Sequence, residues 1–447
     1  MSDANFSCGN KDYYYINPKL KQIKIDPIKA VLYIENSVHQ LVPFCRINHS
    51  AFDILTACNG KRSISEIILE LCKTYNESNV STYVENYIYD CLKKEILLVK
   101  QEPIDTTISI IGSKNKWALD LVTIEMTTCC PLNCKHCYKD ASPNKKNSLD
   151  TKQLEIIESY IYDNNIELVQ ITGGEPFNHP LFFPFINKLI SHKVRVFVST
   201  SGYVKDTDFI KSFLELDKKM VSVQVSIDGP EKFHNTFRGK DDAFKVSMEF
   251  IKLIKNARFN TIVALTLSSQ KEEELFEITD ILKTEGVRIL RIGGILNEGR
   301  ATHNKKTLQI WNQADIVNLR NKLSAAFADE KFRIEIIEEK KDDNISVNCG
   351  LCQSMIKVDE TGTYSPCLLS DIKLGNIYDH TLDNILETFS GHFFDIIPPC
   401  RNVCKNCDHI KKCNGCIVAG LIYGEKKCTW YMHNEHIFSL IEEKSLC

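Results

Sequence analysis

Residues 121–138 read LVTIEMTTCCPLNCKHCY, and this stretch decides how the middle of the chain folds. Leu121–Met126 is an apolar run typical of a buried strand. The segment after it carries Cys130, Cys134 and Cys137 at a C-x3-C-x2-C spacing. Because the three thiols directly follow the strand, we expect them at the carboxyl ends of the strands, where ligands bind in parallel α/β folds.

The pattern of this first strand recurs over residues 117–340. Helical patterns, among them Thr151–Asp163 and Asp206–Leu216, separate the apolar runs. Alternating strands and helices at this spacing predict parallel strands joined by crossover helices. The fold class is therefore α/β, with a partial (β/α)6 barrel of the TIM type. The further predicted strands are Glu167–Thr172, Val194–Thr200, Val221–Ile227, Thr261–Leu267 and Val287–Ile292.

Composition narrows the function classes. The chain has 447 residues, 43% hydrophobic and 25% charged, with a net charge of −3. This near-balance of charge argues against a nucleic-acid partner or a polybasic membrane surface. No apolar stretch reaches the about 18 residues of a membrane span, and residues 1–10 lack an apolar signal region, so we expect a cytoplasmic protein. The unusual feature is the content of 19 cysteines.

Two flanking regions differ from the predicted barrel. Residues 12–100 carry short strand patterns and three helical patterns, one of which opens with the capping box Ser63-Ile-Ser-Glu66. They predict a small winged-helix-like domain, followed by a polar linker over residues 100–116. Residues 343–447 hold cysteines and only short apolar runs, so metal sites rather than a large core are expected to fold this domain.

The three clustered thiols suit an iron–sulfur cluster. Three thiolates can hold three irons of a 4Fe–4S cube, which leaves the fourth iron free to bind a small molecule. Zinc is the alternative, but it prefers four closed ligands with paired C-x2-C spacing. The second predicted strand ends in Thr172-Gly173-Gly174-Glu175-Pro176. Its glycines allow close backbone approach, and Glu175 offers an acceptor for an ammonium group.

In this order along the chain, the motifs resemble those of radical SAM enzymes, with His136 at the aromatic position of the cysteine loop. The resemblance implies that S-adenosylmethionine (SAM) chelates the fourth iron through its amino and carboxylate groups. It also implies that Gly173, Gly174 and Glu175 contact the methionine moiety.

Three later motifs extend this resemblance. Ser226, in Ser226-Ile-Asp228, resembles the ribose-contacting position of the family. Arg238, in Phe237-Arg238-Gly239, resembles an arginine that meets the SAM carboxylate. Gly299-Arg300-Ala301, after the sixth strand, resembles a G-R-A turn of the family.

The cysteines of residues 343–447 resemble the SPASM extension of peptide-modifying radical SAM enzymes, which carries up to two auxiliary 4Fe–4S clusters. The resemblance implies two interleaved ligand sets: Cys349, Cys352, Cys367 and Cys416 in one, and Cys404, Cys407, Cys413 and Cys428 in the other. The short gaps between Cys349 and Cys352 and between Cys413 and Cys416 depart from the usual pattern. They leave open whether the first set is complete, and zinc remains an alternative for the C-x2-C pairs.

Residues 12–100 resemble the PqqD-like recognition element of enzymes that modify ribosomal peptides, on the stretch from Ala51 to Leu71. The resemblance implies that the leader of a precursor peptide adds a strand to an exposed sheet edge. The alternative is a DNA-reading winged helix, but the basic residues are scattered and form no recognition-helix patch. Recognition element, barrel and SPASM extension in this order are similar to the maturases of sactipeptides and ranthipeptides.

The resemblance therefore implies an oxidoreductase that installs thioether crosslinks in a precursor peptide. A 5′-deoxyadenosyl radical would abstract a hydrogen from a substrate carbon, a cysteine sulfur would bond to that carbon, and an auxiliary cluster would accept the remaining electron. A flavodoxin or ferredoxin would be the reducing partner. The alternatives are carbon–carbon crosslinking, epimerisation, a sulfatase-type maturase and, from another class, a zinc-stabilised peptide-binding regulator.

Overall fold

The computed structural model describes residues 12–35, 41–75, 79–117, 119–296, 298–337, 348–370, 372–394, 396–405, 407, 410–413, 415–424 and 428–444. The chain divides into two compact units, Met1–Ala118 and Leu119–Cys447. Across the ranges just given, no helix is both long and apolar enough to cross a membrane.

The first unit combines two small sheets with three helices. Its strands are β1 (Tyr13–Ile16), β2 (Leu20–Ile25), β3 (Ala30–Glu35), β4 (Leu41–Ile47), β5 (Asn59–Ser63), β6 (Leu97–Lys100) and β7 (Ser109–Gly112), and its helices are α1 (His49–Ala57), α2 (Ile64–Thr74) and α3 (Val80–Lys93). The sheet orders are β5-β1-β6 and β4-β3-β2-β7. Leu55, Ile67 and Ile88 of the helices are buried in a core of their own within this unit.

The three predicted helices of this unit are confirmed, including the capping box between Ser63 and Glu66. The predicted linker is wrong at β7, which pairs in parallel with β2. Ile110 and Ile111 supply a short apolar run there, and backbone pairing with β2 forms a strand despite the polar surroundings.

The second unit is built on one ten-stranded sheet. Its strands are β8 (Leu121–Glu125), β9 (Leu168–Thr172), β10 (Arg195–Thr200), β11 (Val221–Ser226), β12 (Asn260–Thr266), β13 (Ile289–Gly293), β14 (Arg333–Ile336), β15 (Met355–Val358), β16 (Thr363–Ser365) and β17 (Gly375–Asn376). Its helices are α4 (Thr151–Asp163), α5 (Phe182–Ser191), α6 (Thr207–Leu214), α7 (Glu231–Arg238), α8 (Ala243–Asn256), α9 (Glu272–Thr284), α10 (Arg300–His303), α11 (Gln313–Phe327), α12 (Leu382–Phe394), α13 (Ile410–Cys413), α14 (Ile417–Tyr423), α15 (Thr429–His433) and α16 (Glu435–Lys444), with a 3-10 turn at Pro176–Asn178.

The parallel α/β fold is confirmed. Strands β8 to β13 are parallel neighbours, and each begins and ends within two residues of a predicted strand. Two further parallel strands flank them. β14 pairs with β13, and β15, from the cysteine-rich part of the chain, pairs with β8.

The two faces of this sheet differ in polarity. Val122 and Ile124 of β8 are buried on one face, and alternation places Thr123 and Glu125 on the other. On that second face Thr123 Oγ1 donates to Gln170 Oε1 at 3.2 Å, and Gln170 Nε2 donates to Ser199 Oγ at 3.1 Å. A row of polar side chains therefore crosses β8, β9 and β10 below the carboxyl ends of the strands.

Candidate functional site

The three predicted thiols share one segment, residues 130–141, which we call the cluster loop. Cys130 and Cys134 are buried and Cys137 is half-buried. The Ala141 N–H donates to Cys137 Sγ at 3.3 Å, and Arg238 Nη1 donates to Cys134 Sγ at 3.8 Å. Such donors stabilise thiolates. Burial raises the pKa of Cys134 to about 11, although Arg238 opposes the shift, so cluster binding would have to displace a proton from this thiol.

The C-terminal end of α7 anchors the cluster loop from one side. The Asn133 N–H donates to Arg238 O at 3.1 Å and the Lys135 N–H donates to Phe237 O at 3.0 Å. These carbonyls lack partners within the helix, so the loop completes the hydrogen bonding of α7. Gly239 follows at φ +69°, where a Cβ would lie 2.8 Å from Asn133 O.

Arg300 anchors the cluster loop from the side of the sixth barrel strand. Its Nε donates to Cys134 O at 2.8 Å and its Nη2 donates to Ala141 O at 2.5 Å. The Arg300 N–H also donates to Cys137 O at 2.9 Å. A Cβ on Gly299 would overlap Tyr138 O. From the sequence, residues 299–301 were noted only for their resemblance to a G-R-A turn. Their contacts in the structure identify Arg300 as a further residue of the site.

The glycine turn after β9 packs against the segment that precedes the cluster loop. The Gly174 N–H donates to Thr127 O at 2.5 Å and the Glu175 N–H donates to Cys129 O at 2.9 Å. A Cβ on Gly174 would lie 2.7 Å from Cys129 O, and one on Gly173 would lie 2.7 Å from Thr127 O. In this structure the glycines allow close packing of two backbones, and their contact with a methionine moiety stays a prediction.

Glu175 is fully buried and already hydrogen-bonded. Oε1 accepts from Thr200 Oγ1 at 2.7 Å and from the Phe177 N–H at 3.3 Å. Oε2 accepts from the Ser201 N–H at 2.9 Å and from Ser201 Oγ at 2.5 Å. A carboxylate offers about four acceptor positions, so an ammonium group would have to share them with these donors. Burial raises the pKa of Glu175, while the Ser201 and Thr200 donors oppose the shift.

Arg238 is held between a carboxylate and a cluster-loop thiol. Its Nε donates to Asp228 Oδ2 at 2.5 Å, and Asp228 Oδ1 accepts from the Thr266 N–H at 3.0 Å. Burial opposes ionisation of Asp228, but the charge and the hydrogen bond of Arg238, together with His136 and His234, outweigh it and hold the pKa at about 2. Ser226 ends β11 two residues before Asp228. The structure thus places Arg238 beside Cys134, whereas the ribose contact of Ser226 stays a prediction.

His136 lies against α7, where its ring stacks on Phe237 with 4.2 Å between ring centroids. Burial, reinforced by the nearby Arg238, lowers the pKa of His136 to about 3. The ring is therefore neutral at physiological pH and packs like the aromatic residue expected at this position.

The cysteines after residue 343 fall into two neighbourhoods. Burial raises the pKa of Cys367, and the Cys416 and Cys349 thiols add to the shift, which places these three close together. Burial raises the pKa of Cys413 to about 11, and the thiols of Cys428, Cys404, Cys407 and Cys416 add to the shift. Cys416 therefore acts on a cysteine of each group.

Cys352 has a different setting from its predicted partners. It is buried, has a positive φ of 55°, and its pKa is raised to about 12 by burial, against a hydrogen bond from Ser390. The role of Cys352 as a ligand of the first set stays a prediction.

A cavity of about 900 Å³ adjoins the second neighbourhood, lined among others by Cys404, Cys407, Cys428, Trp430 and His433. Three thiols facing one cavity fit a bulky thiolate-bound group. Within the described ranges, no three His, Cys, Asp or Glu side chains lie close enough to share a single metal ion.

A family model matches the barrel of this chain. Residues 124–282 match the model of the Radical SAM superfamily. The three thiols that this chain carries on one loop fit the 4Fe–4S cluster of that superfamily.

Two relatives match in sequence beyond the barrel. The chain is 23% identical over 420 residues to the antilisterial bacteriocin subtilosin biosynthesis protein AlbA of Bacillus subtilis, covering 89% of this chain and 90% of AlbA. It is 26% identical over 292 residues to the sporulation killing factor maturation protein SkfB of the same organism, covering 63% of this chain and 68% of SkfB.

A solved structure matches in fold. The structure of Streptococcus suis SuiB bound to S-adenosylmethionine superposes with a TM-score of 0.61 at 14% identity, over 93% of this chain and 98% of SuiB. At this identity the likeness establishes a shared fold.

Proposed function

We propose that the protein is a radical SAM maturase that installs thioether crosslinks between cysteine sulfurs and carbons of a ribosomally made precursor peptide. The observation that supports this proposal most directly is the cluster loop, which carries three thiols and is anchored on two sides. The same structural unit also contains two further groups of thiols. Similarity to AlbA, which is named for the biosynthesis of a bacteriocin, and to SkfB, which is named for the maturation of a sporulation killing factor, supports a peptide substrate.

In this proposal Cys130, Cys134 and Cys137 hold a 4Fe–4S cluster whose open iron takes SAM. Cluster and SAM together supply a 5′-deoxyadenosyl radical. The chain positions them through the anchors of the cluster loop. The SAM contacts are assigned to His136, Gly173, Gly174, Glu175, Ser226 and Arg238.

The thiols after residue 343 would hold the groups that accept the electron left over by crosslinking. For each crosslink the substrate carbon gives up a hydrogen atom to the 5′-deoxyadenosyl radical, which becomes 5′-deoxyadenosine, and the substrate thiol gives up a proton. Formation of the carbon–sulfur bond then leaves one electron to be accepted. We assign its acceptance to auxiliary 4Fe–4S clusters, one on Cys349, Cys352, Cys367 and Cys416, the other on Cys404, Cys407, Cys413 and Cys428. A flavodoxin or ferredoxin would supply the electron that cleaves SAM, which places the protein in a reducing cytoplasm.

The first unit would recognise the leader of the precursor peptide. Its four-stranded sheet ends in β4 on one side and β7 on the other, and an extended peptide can add a strand to such an edge through main-chain hydrogen bonds. SuiB, which shares the fold, has been solved bound to its precursor peptide SuiA. This supports a peptide-binding role for the shared architecture.

The test is anaerobic incubation of the reconstituted enzyme with SAM, a reductant and the candidate peptide. We expect 5′-deoxyadenosine and a peptide lighter by two hydrogens per crosslink, with one thiol fewer available to iodoacetamide. A two-hydrogen loss with all thiols still reactive would show carbon–carbon crosslinking instead. Deoxyadenosine with an unchanged peptide mass would favour epimerisation. The control variant Cys134→Ala should form neither product.

A further inference from the structure

Four charged side chains form a buried network beside the cluster loop. Glu125 ends β8 and is 0% exposed, and Lys357 of β15 is 1% exposed. Lys139 Nζ lies 2.9 Å from Glu125 Oε2 and 2.7 Å from Glu360 Oε2, and Lys357 Nζ lies 3.7 Å from Glu125 Oε2. Burying four charges is costly unless they are paired. Neither the proposed SAM contacts nor the cysteine ligands account for this network.

The network connects the cluster loop with the cysteine-rich part of the chain. Lys139 follows Cys137 by two residues in the cluster loop, and the neighbouring Tyr138 donates to Glu125 Oε1 at 2.7 Å. Lys357 and Glu360 belong to the cysteine-rich part of the chain. Glu125 therefore forms an ion pair with one lysine of the cluster loop and with one lysine of the cysteine-rich part.

Strand register places Lys357 opposite a residue that lies two positions before Cys367. Lys357 is opposite Thr123 on β8 and opposite Ser365 on β16. Cys367 follows Ser365 by two residues. Burial is the main cause that raises the pKa of the Cys367 thiol. The positive charge of Lys357 opposes this shift, with a smaller effect than the Leu369 N–H and the Cys416 and Cys349 thiols. A lysine shielded from water in this way exerts a field that is weakly screened.

We propose that Lys357 is a positioning residue for electron transfer, whose buried charge raises the reduction potential of the auxiliary cluster bound by Cys367 and so makes that cluster the one that accepts the substrate's electron. The inference rests on the proposed auxiliary cluster and deepens it. A cluster that gains one electron gains one negative charge, and a nearby fixed positive charge favours that state. Net charge around a cluster is one of the factors that set its potential.

The experiment is a redox titration of the reconstituted full-length enzyme followed by electron paramagnetic resonance, without peptide. Cys367→Ala identifies the signal of the cluster in question. Lys357→Met should lower the midpoint of that signal by at least about 59 mV, a tenfold change for a one-electron couple. Lys357→Arg should keep the wild-type midpoint, because it keeps the charge.

Lys139→Met is the matched control, since it also removes a lysine paired with Glu125 but on the cluster-loop side. Lys139→Met should not change the midpoint potential of the cluster bound by Cys367. If Lys357→Met folds poorly, the double variant Glu125→Gln with Lys357→Met keeps the network neutral and should still lower the midpoint.

An unchanged midpoint in a Lys357→Met enzyme with full iron content would overturn the inference, and so would an equal shift in Lys139→Met. If Cys367→Ala removes no iron, there is no such cluster and the inference fails, while the SAM-binding half of the proposed function stands. Because the titration contains no peptide, its result does not depend on whether the enzyme forms a thioether.

Discussion

Arg300 is the side chain that ties the cluster loop to the sixth barrel strand. It makes two guanidinium bonds to loop carbonyls and an ion pair with Asp140 at 3.1 Å. Hydrogen bonds from charged groups contribute about 1.5–3 kcal/mol each. We expect Arg300→Ala to loosen the loop and lower the iron content by about four per chain, the content of one 4Fe–4S cluster.

Iron and acid-labile sulfide after reconstitution measure this effect. Arg300→Lys should recover part of the iron, because one cation can still reach one carbonyl. Arg333→Ala is the control, since Arg333 is 59% exposed and lies at the start of β14. Full iron content in Arg300→Ala would show that the cysteines alone define the loop.

His179 makes stability depend on pH. Its Nε2 donates to Leu149 O at 2.9 Å and its Nδ1 accepts from the Leu181 N–H at 3.1 Å, a pattern that requires the neutral ring. Burial lowers its pKa, although the bond to Leu149 opposes the shift. The unfolded chain therefore takes up the proton first, and this contribution to stability is present above about pH 6.5 and lost as pH falls below it.

Replacing His179 by Gln should flatten the loss of stability between pH 8 and pH 5.5. Denaturant midpoints at the two pH values measure it, and the difference between them should be smaller in the variant than in the wild type. An equal difference in both proteins would place the acid sensitivity elsewhere.

The spacing of residues explains which parts of the site were predictable. Cys130, Cys134 and Cys137 lie within one loop, so their proximity is fixed by the sequence itself. The partners of Glu175 come from the end of the next strand, 25 and 26 residues away, and those of Arg300 come from about 160 residues away. No local pattern encodes such contacts, because they exist only once the strands are aligned.

Whether a whole strand could be predicted from the sequence also depended on how strong its local pattern is. The six barrel strands were predicted because each is an apolar run of five to seven residues bounded by helical patterns. β14 and β15 have four residues each. β14 alternates charged with apolar side chains, and β15 carries Lys357 among three apolar residues. Patterns this short are too weak a signal to distinguish from a loop. Their strand character depends on pairing with β13 and β8.

β15 offers a test of how far the barrel depends on the cysteine-rich part. Ile356 is 0% exposed between β8 and β16. Ile356→Ala should lower the free energy of unfolding by about 2–5 kcal/mol, although Ile356 lies outside residues 124–282. Ile310→Ala is the matched control, since Ile310 is 55% exposed, and should change stability by less than about 0.5 kcal/mol. Similar effects in both would mean that β15 adds little to the barrel.

The division into two units leads to a prediction for the whole molecule. The first unit has a hydrophobic core of its own. The thiols proposed as cluster ligands and the proposed SAM-site residues all belong to the second unit. A chain that begins at Leu119 should therefore keep its iron and still convert SAM to 5′-deoxyadenosine, but it should no longer modify the precursor peptide efficiently. Residues 1–118 added as a separate chain should restore modification.

The leader peptide provides the control for this experiment. If the first unit acts by binding the leader, the separate chain should restore modification only for a peptide that carries one, and a leaderless peptide should be processed equally with and without it. Full modification of the leader-bearing peptide by the shortened enzyme would assign recognition to the second unit. Loss of SAM cleavage in the shortened enzyme would instead show that the first unit supports the fold of the barrel.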